Sequence, residues 1–119
     1  MPPSPLARLR KICLSLPDTT EAKAWGEPTF RVKNKIFAMY AAANNHHGAG
    51  HHAVWLMSTH VNQSLMVAAK PNRFFVPPYV GVGGWIGVRL DGGVNWREVA
   101  ELVQDAHEQR APKKKKRRA

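Results

Sequence analysis

The sequence predicts an α+β fold in two layers, a mainly antiparallel sheet carrying helices, with the element order α-β-β-β-β-α-β-β-α. Three observations lead there. Apolar residues recur at helical spacing in three stretches, near the start, the middle and the end of the chain, and the runs between them alternate with the period of a strand. Most of those runs are separated by too few residues for a parallel crossover, so they must pair as hairpins. At 119 residues and 44% hydrophobic, the chain is the size of one domain, expected to span residues 1–111 and to be followed by a disordered Lys/Arg-rich tail, 112–119.

The first helix should begin at Ser4, whose hydroxyl can cap free backbone N–H groups, with Pro5 suited to the first helical position. Leu6, Leu9, Ile12, Cys13 and Leu16 then form one stripe, and Pro17 ends the element. From Glu21, Ala22 and Ala24 and then Phe30 and Val32 alternate with polar residues, broken by Gly26-Glu27-Pro28, which predicts two short strands. Lys33-Asn34-Lys35 reads as a tight turn because Asn tolerates positive φ. A third strand follows, in which Ile36, Ala38 and Tyr40 alternate with Phe37 and Met39.

Residues 41–52 have no apolar period and are rich in Gly and Asn, so a flexible surface loop is expected before a fourth strand, Ala53 to Met57. Thr59 to Lys70 is compatible with a helix that Pro71 stops. Two β-prone runs, Phe74 to Val76 and Trp85 to Leu90, surround the Pro77-Pro78 corner and the glycines 81, 83 and 84. Asn95, with Glu98 three residues on, resembles a capping box for a last helix that buries Trp96, Val99, Ala100, Val103 and Ala106.

Eighteen Lys and Arg against eight Asp and Glu give a formal charge of +10. Six of those cations, Lys113, Lys114, Lys115, Lys116, Arg117 and Arg118, belong to the tail, so the body is only modestly basic. The single cysteine, Cys13, excludes an intrachain disulfide or a multi-cysteine zinc site and predicts a reducing compartment. No apolar run approaches the roughly 20 residues of a membrane span, and the first residues lack a signal-peptide stretch. A cytoplasmic protein with no membrane insertion is expected.

Three colinear segments, LRKICLSLPDTTEAKAWGEPTFRVKNKIFAMY, RFFVPPYVGVGGWIGVRLD and VNWREVAELVQDAH, resemble the MmcQ/YjbR family across nearly all of residues 6–110. Their Trp-Gly-x-Pro, Pro-Pro-Tyr-Val-Gly and Gly-Trp-Ile-Gly elements carry the resemblance. It implies a small α+β fold related to secretion chaperones, often called CyaY-like, and a DNA-binding role assigned to a winged surface. It transfers no catalytic or base-reading residues.

Arg31, Lys33 and Lys35 alternate, so strand geometry could aim them at phosphates from one face of a hairpin, with Lys70 and Arg73 extending the patch. The same charges also serve solubility and guard an exposed strand against pairing. The tail is a hexacation that attracts DNA, RNA and other polyanions alike. Trp25, Phe30, Tyr79 and Trp85 cluster around prolines and glycines, a composition that suits either a groove for a peptide or unpaired bases, or simply a core.

His46, His47, His51 and His52 supply imidazoles for adventitious metal affinity, but no acid lies between Arg31 and Arg89 to orient them, so no evolved metal site is expected. His60 and His107 read as surface or boundary residues, and Cys13 as core. The glycines 81, 83 and 84 precede a strand rather than a helix and lack a Gly-Lys-Ser/Thr ending, which rules against a phosphate loop. No triad, acid pair or cofactor cradle is visible, so no catalytic residue and no cofactor is expected. The expected function is weak, largely sequence-nonspecific binding to the DNA backbone, without enzymatic activity. The alternative is a protein-interaction or chaperone-like adaptor that uses the aromatic groove.

Overall fold

The computed structural model describes residues 4–43 and 51–111. The expectations for His46, His47 and the tail cations Lys113 to Arg118 lie outside these residues. Helix α1 (Pro5–Leu14) starts as its cap predicts: the Ser4 hydroxyl accepts the Ala7 N–H at 3.1 Å and Pro5 occupies the first turn. Its stripe buries Leu9 and Cys13 completely. On the neighbouring face, the Arg10 guanidinium forks onto Glu21, Nε and Nη2 donating at 2.7 and 2.9 Å, which ties the helix to the first strand.

Strands β1 (Thr19–Ala24), β2 (Glu27–Val32) and β3 (Lys35–Ala41) form a meander. Two-residue turns connect them, Trp25-Gly26 and Lys33-Asn34, with all four residues at positive φ (53°, 81°, 53° and 68°). A left-handed pair is what a tight hairpin requires, because its twist matches that of the flanking strands. The first break is therefore shorter than Gly26-Glu27-Pro28: Glu27 and Pro28 already pair with Ala24 and Lys23. Strand β4 (Ala53–Leu56) returns along β3.

Helix α2 (His60–Ala69) is capped by the Thr59 hydroxyl, which accepts the Asn62 N–H at 3.1 Å. A two-residue β5 (Phe74–Phe75), a 3-10 turn (Val80–Gly83) and β6 (Ile86–Arg89) follow. Helix α3 (Trp96–Arg110) closes the fold, its first N–H groups accepted by Asn95. The six strands form one wholly antiparallel sheet in the order β1-β2-β3-β4-β6-β5. The α+β class and the predicted order of helices and strands are those observed. The short 3-10 turn has no counterpart in the sequence reading.

Helices α1 and α3 pack on each other and on one face of the sheet. Between them lies the main core of Leu9, Phe30, Phe37, Val54, Leu56, Val88, Val99 and Val103. Simple alternation places Ile36 with Ala38 and Tyr40, and the structure corrects this. The β2–β3 register slips between Phe30, opposite Ala38, and Arg31, opposite Ile36, so Phe37 is an extra residue in β3. This bulge turns Phe37 and Ala38 inward together and sends Ile36 to the opposite face with Met39.

His107, expected at the surface or the boundary, is buried. Its Nε2 donates to the Pro17 carbonyl at 2.8 Å and its ring meets Phe37 edge-on at 5.2 Å. Among the described residues, no helix is long and apolar enough to cross a membrane.

Candidate functional site

The face of the sheet opposite α1 and α3 carries an apolar cluster of its own, built on buried Ala41, Trp55 and Trp85. Met39 and Trp55 are cross-strand partners in β3 and β4, and the bulge adds Ile36 beside them. These side chains floor a hollow of about 580 Å³, whose walls are completed by Trp25, Tyr79, Val80, Trp85 and Arg110. Its rim rings are largely uncovered, Trp25 being 71% and Tyr79 73% exposed. Large apolar groups left in solvent around a concavity mark a place where something binds, whereas a scattered exposed apolar residue does not.

The wall that holds Tyr79 and Trp85 is rigidly pinned. Tyr79 is the centre of a tight turn with φ 65° and ψ −68°, closed by the Val80 N–H donating to the Pro78 carbonyl at 2.7 Å. That conformation is rare and strained for a residue with a side chain, and it reverses the chain sharply at Tyr79. From α2, the buried Gln63 amide donates to the Gly81 and Trp85 carbonyls at 2.9 and 2.6 Å, and His60 Nε2 donates to Val82 at 2.7 Å. Gly84 lies at φ 95° against the start of α2, where a Cβ would meet the His60 nitrogen at 2.9 Å. At the far end of the hollow, Arg110 Nε donates to the Ile36 carbonyl at 3.0 Å, fixing the last side chain of α3 beside the bulge.

Of the four aromatic residues that the sequence singles out, Trp25, Tyr79 and Trp85 line this hollow. Phe30 does not. It is fully buried among the helices on the other face, because β2 alternates it with Thr29 and Arg31. Ile36, Met39, Trp55, Gln63 and Arg110 escaped the reading of the sequence. Trp55 was recoverable, since it stands out of phase with Val54 and Leu56 in a strand buried on both faces. Arg110 had no signal beyond its place at a helix end.

The predicted basic patch is divided by the fold. Lys33 sits in the turn itself, while the register places Lys35 opposite Val32 and Arg31 opposite Ile36, on opposite faces of the sheet. Arg31 Nε donates to the Thr29 hydroxyl at 3.2 Å. Lys70 and Arg73 lead into β5, at the far edge of the sheet from the β2–β3 hairpin, so they do not extend the patch. Lys70 pairs with Glu98 at 3.6 Å, and Arg73 donates to the carbonyls of Arg89, Asp91 and Gly92, clamping the chain after β6.

A different set of cations converges between α1 and α3. Arg8, Lys11 and Arg97 line a groove together with Ile12 and Trp96, with no acid in its walls. The Arg8 guanidinium lies 4.8 Å from the centre of the Trp96 ring.

His51 and His52 have the orienting carboxylate that local sequence lacked. Asp91, forty residues on, stands 3.3 Å from His51 Nδ1 and accepts the His52 N–H at 3.2 Å. His52 Nδ1 in turn accepts the Ala43 N–H at 3.3 Å and the Tyr40 hydroxyl. Burial, together with the nearby Glu27 and Asp91 carboxylates, raises the Tyr40 pKa, so this hydroxyl stays a donor. No group of three metal-ligating side chains forms among the described residues. Burial also pushes the Cys13 thiol well above its ordinary pKa, with Glu21 adding to the shift, so it remains protonated and unreactive in the core.

The chain matches the YjbR family model over residues 14–109. Among solved structures it is similar to the Deinococcus radiodurans protein DR2400, whose crystal structure holds the family-model domain DUF419. The two share 19% identity and a TM-score of 0.72 over 87% of this chain and 78% of that one. That likeness is one of fold. No protein of curated function matches the chain.

Proposed function

The chain belongs to the YjbR family, and from that premise we propose that it is a non-enzymatic binding module, whose working surface is the aromatic hollow on the open face of the sheet. One observation carries this reading: the hollow is apolar, rimmed by exposed Trp25 and Tyr79, and held open by a loop that α2 anchors at three carbonyls. A preformed apolar concavity spends little on ordering when an apolar group enters it. The test is an NMR titration of the full chain with a neutral aromatic probe, naphthaleneacetamide. The Met39 methyl and the Trp55 and Trp85 indole signals are expected to shift, and the response should vanish in Met39→Glu while the fold persists. Signals that stay in place at millimolar probe would overturn the reading.

A second reading, contact with the DNA backbone, is favoured by the groove where Arg8, Lys11 and Arg97 converge without an acid. Three cations on one concave surface supply an attraction to phosphate that needs no base contact, and the hexacationic tail adds to it.

A further inference from the structure

We infer that the occupant of the hollow is a small apolar carboxylic acid, with its body on Ile36, Met39 and Trp55 and its carboxylate on the guanidinium of Arg110. The inference rests on the reading of the hollow as a binding site and adds the chemical class of its ligand. Arg110 is the one charged side chain in the lining. No acid pairs with it among the described residues, and its Nε is committed to the Ile36 carbonyl at 3.0 Å. That bond leaves the two Nη groups as a positioned fork, the geometry that takes both oxygens of a carboxylate. The apolar side chains of the floor lower the local dielectric and strengthen the attraction for an anion that arrives.

The geometry also disfavours other occupants. A phosphate group, with its higher charge, would want several cations, and the lining offers the single guanidinium of Arg110. A peptide that binds by adding a strand gains its affinity at an open sheet edge. The floor here is β3 and β4, each already paired on both sides, and the open edges are β1 and β5. A ligand that needs no backbone partners, with an apolar body and one acid group, fits what the walls provide. The volume of about 580 Å³ is that of a small-molecule site.

The experiment is a calorimetric titration of the full chain with naphthaleneacetate and with its neutral amide, naphthaleneacetamide. The acid should bind at least about tenfold more tightly than the amide, as a charge-assisted hydrogen bond predicts. Arg110→Gln should bring the ratio of acid to amide affinity to about one, and Arg110→Lys should restore part of it. Equal binding of acid and amide would overturn the carboxylate assignment while the hollow stands. An acid preference that survives Arg110→Gln would overturn it too, placing the anion on the tail or another cation. Failure of both ligands to bind would remove the hollow as a site, and the inference with it.

Discussion

The side-chain amide of Gln63 donates to the Trp85 carbonyl at 2.6 Å, reaching from α2 into the loop that walls the hollow. Its second N–H serves Gly81 at 2.9 Å. Gln63→Leu keeps the bulk of this buried side chain but strands the Trp85 carbonyl, which costs about 1–3 kcal/mol when water cannot replace the donor, while the Gly81 carbonyl keeps the Gly84 N–H at 3.0 Å. Urea denaturation is expected to report a loss of about 2 kcal/mol, with weaker binding of the neutral probe as the wall loosens. A stability within about 0.5 kcal/mol of the parent would mean that solvent reaches the Trp85 carbonyl and that the wall is not held by Gln63.

Gly87 in β6 exists for the ring of Phe75. The two are cross-strand partners, and a Cβ on Gly87 would overlap the ring directly. Gly87→Ala should destabilise the fold by about 1–3 kcal/mol, the cost of forcing atoms into an occupied site. Phe75→Leu, mildly destabilising alone, should recover part of that loss in the Gly87→Ala background. A double-mutant cycle measures the coupling, and strict additivity would show that the strand moves instead of the ring.

The helix caps at Ser4 and Asn95, the Lys33-Asn34 turn and the order of elements were legible because each depends on residues close in sequence. What could not be read depends on pairing across strands. The slip that makes Phe37 an extra residue reverses the face of Ile36, and no local period announces a bulge. Arg110 enters the site only because α3 ends beside that bulge, 74 residues along the chain. The charge pattern misled for a related reason. A row of alternating cations presumes an uninterrupted strand, yet Lys33 is the turn, and Lys70 and Arg73 find their partners in residues 16 to 28 positions away.

Cys13 supplies a pH dependence. Its thiol is held above its ordinary pKa chiefly by burial, so the native state keeps a proton that the unfolded chain releases above about pH 9. The contribution to stability is therefore complete below that pH and is lost progressively as pH rises from there toward the raised folded pKa, because unfolding then releases a proton. Denaturation midpoints should fall between about pH 9 and 11, and Cys13→Ala should flatten that decline while lowering stability at neutral pH through the cavity it leaves. Modification of the native thiol by an aromatic disulfide should proceed only as fast as the core opens. Rapid labelling of the folded protein would contradict its burial.

The cations of the α1–α3 groove and those of the hairpin predict different outcomes in DNA binding. Lys11→Gln and Arg97→Gln each remove one unpaired cation from the groove. If the groove meets phosphates, each should lower the slope of log affinity against log salt by about 0.9. Lys33→Asn removes a hairpin charge while placing a residue that tolerates the left-handed backbone at φ 53°. It should therefore stabilise the fold by up to about 1 kcal/mol and leave DNA affinity unchanged. Fluorescence anisotropy with a labelled duplex, on the full chain and on a chain ending at Ala111, separates these contributions from the tail. A salt slope that falls with Lys33→Asn and ignores Lys11→Gln would return the contact to the hairpin, and binding that disappears with residues 112–119 would assign it to the tail alone.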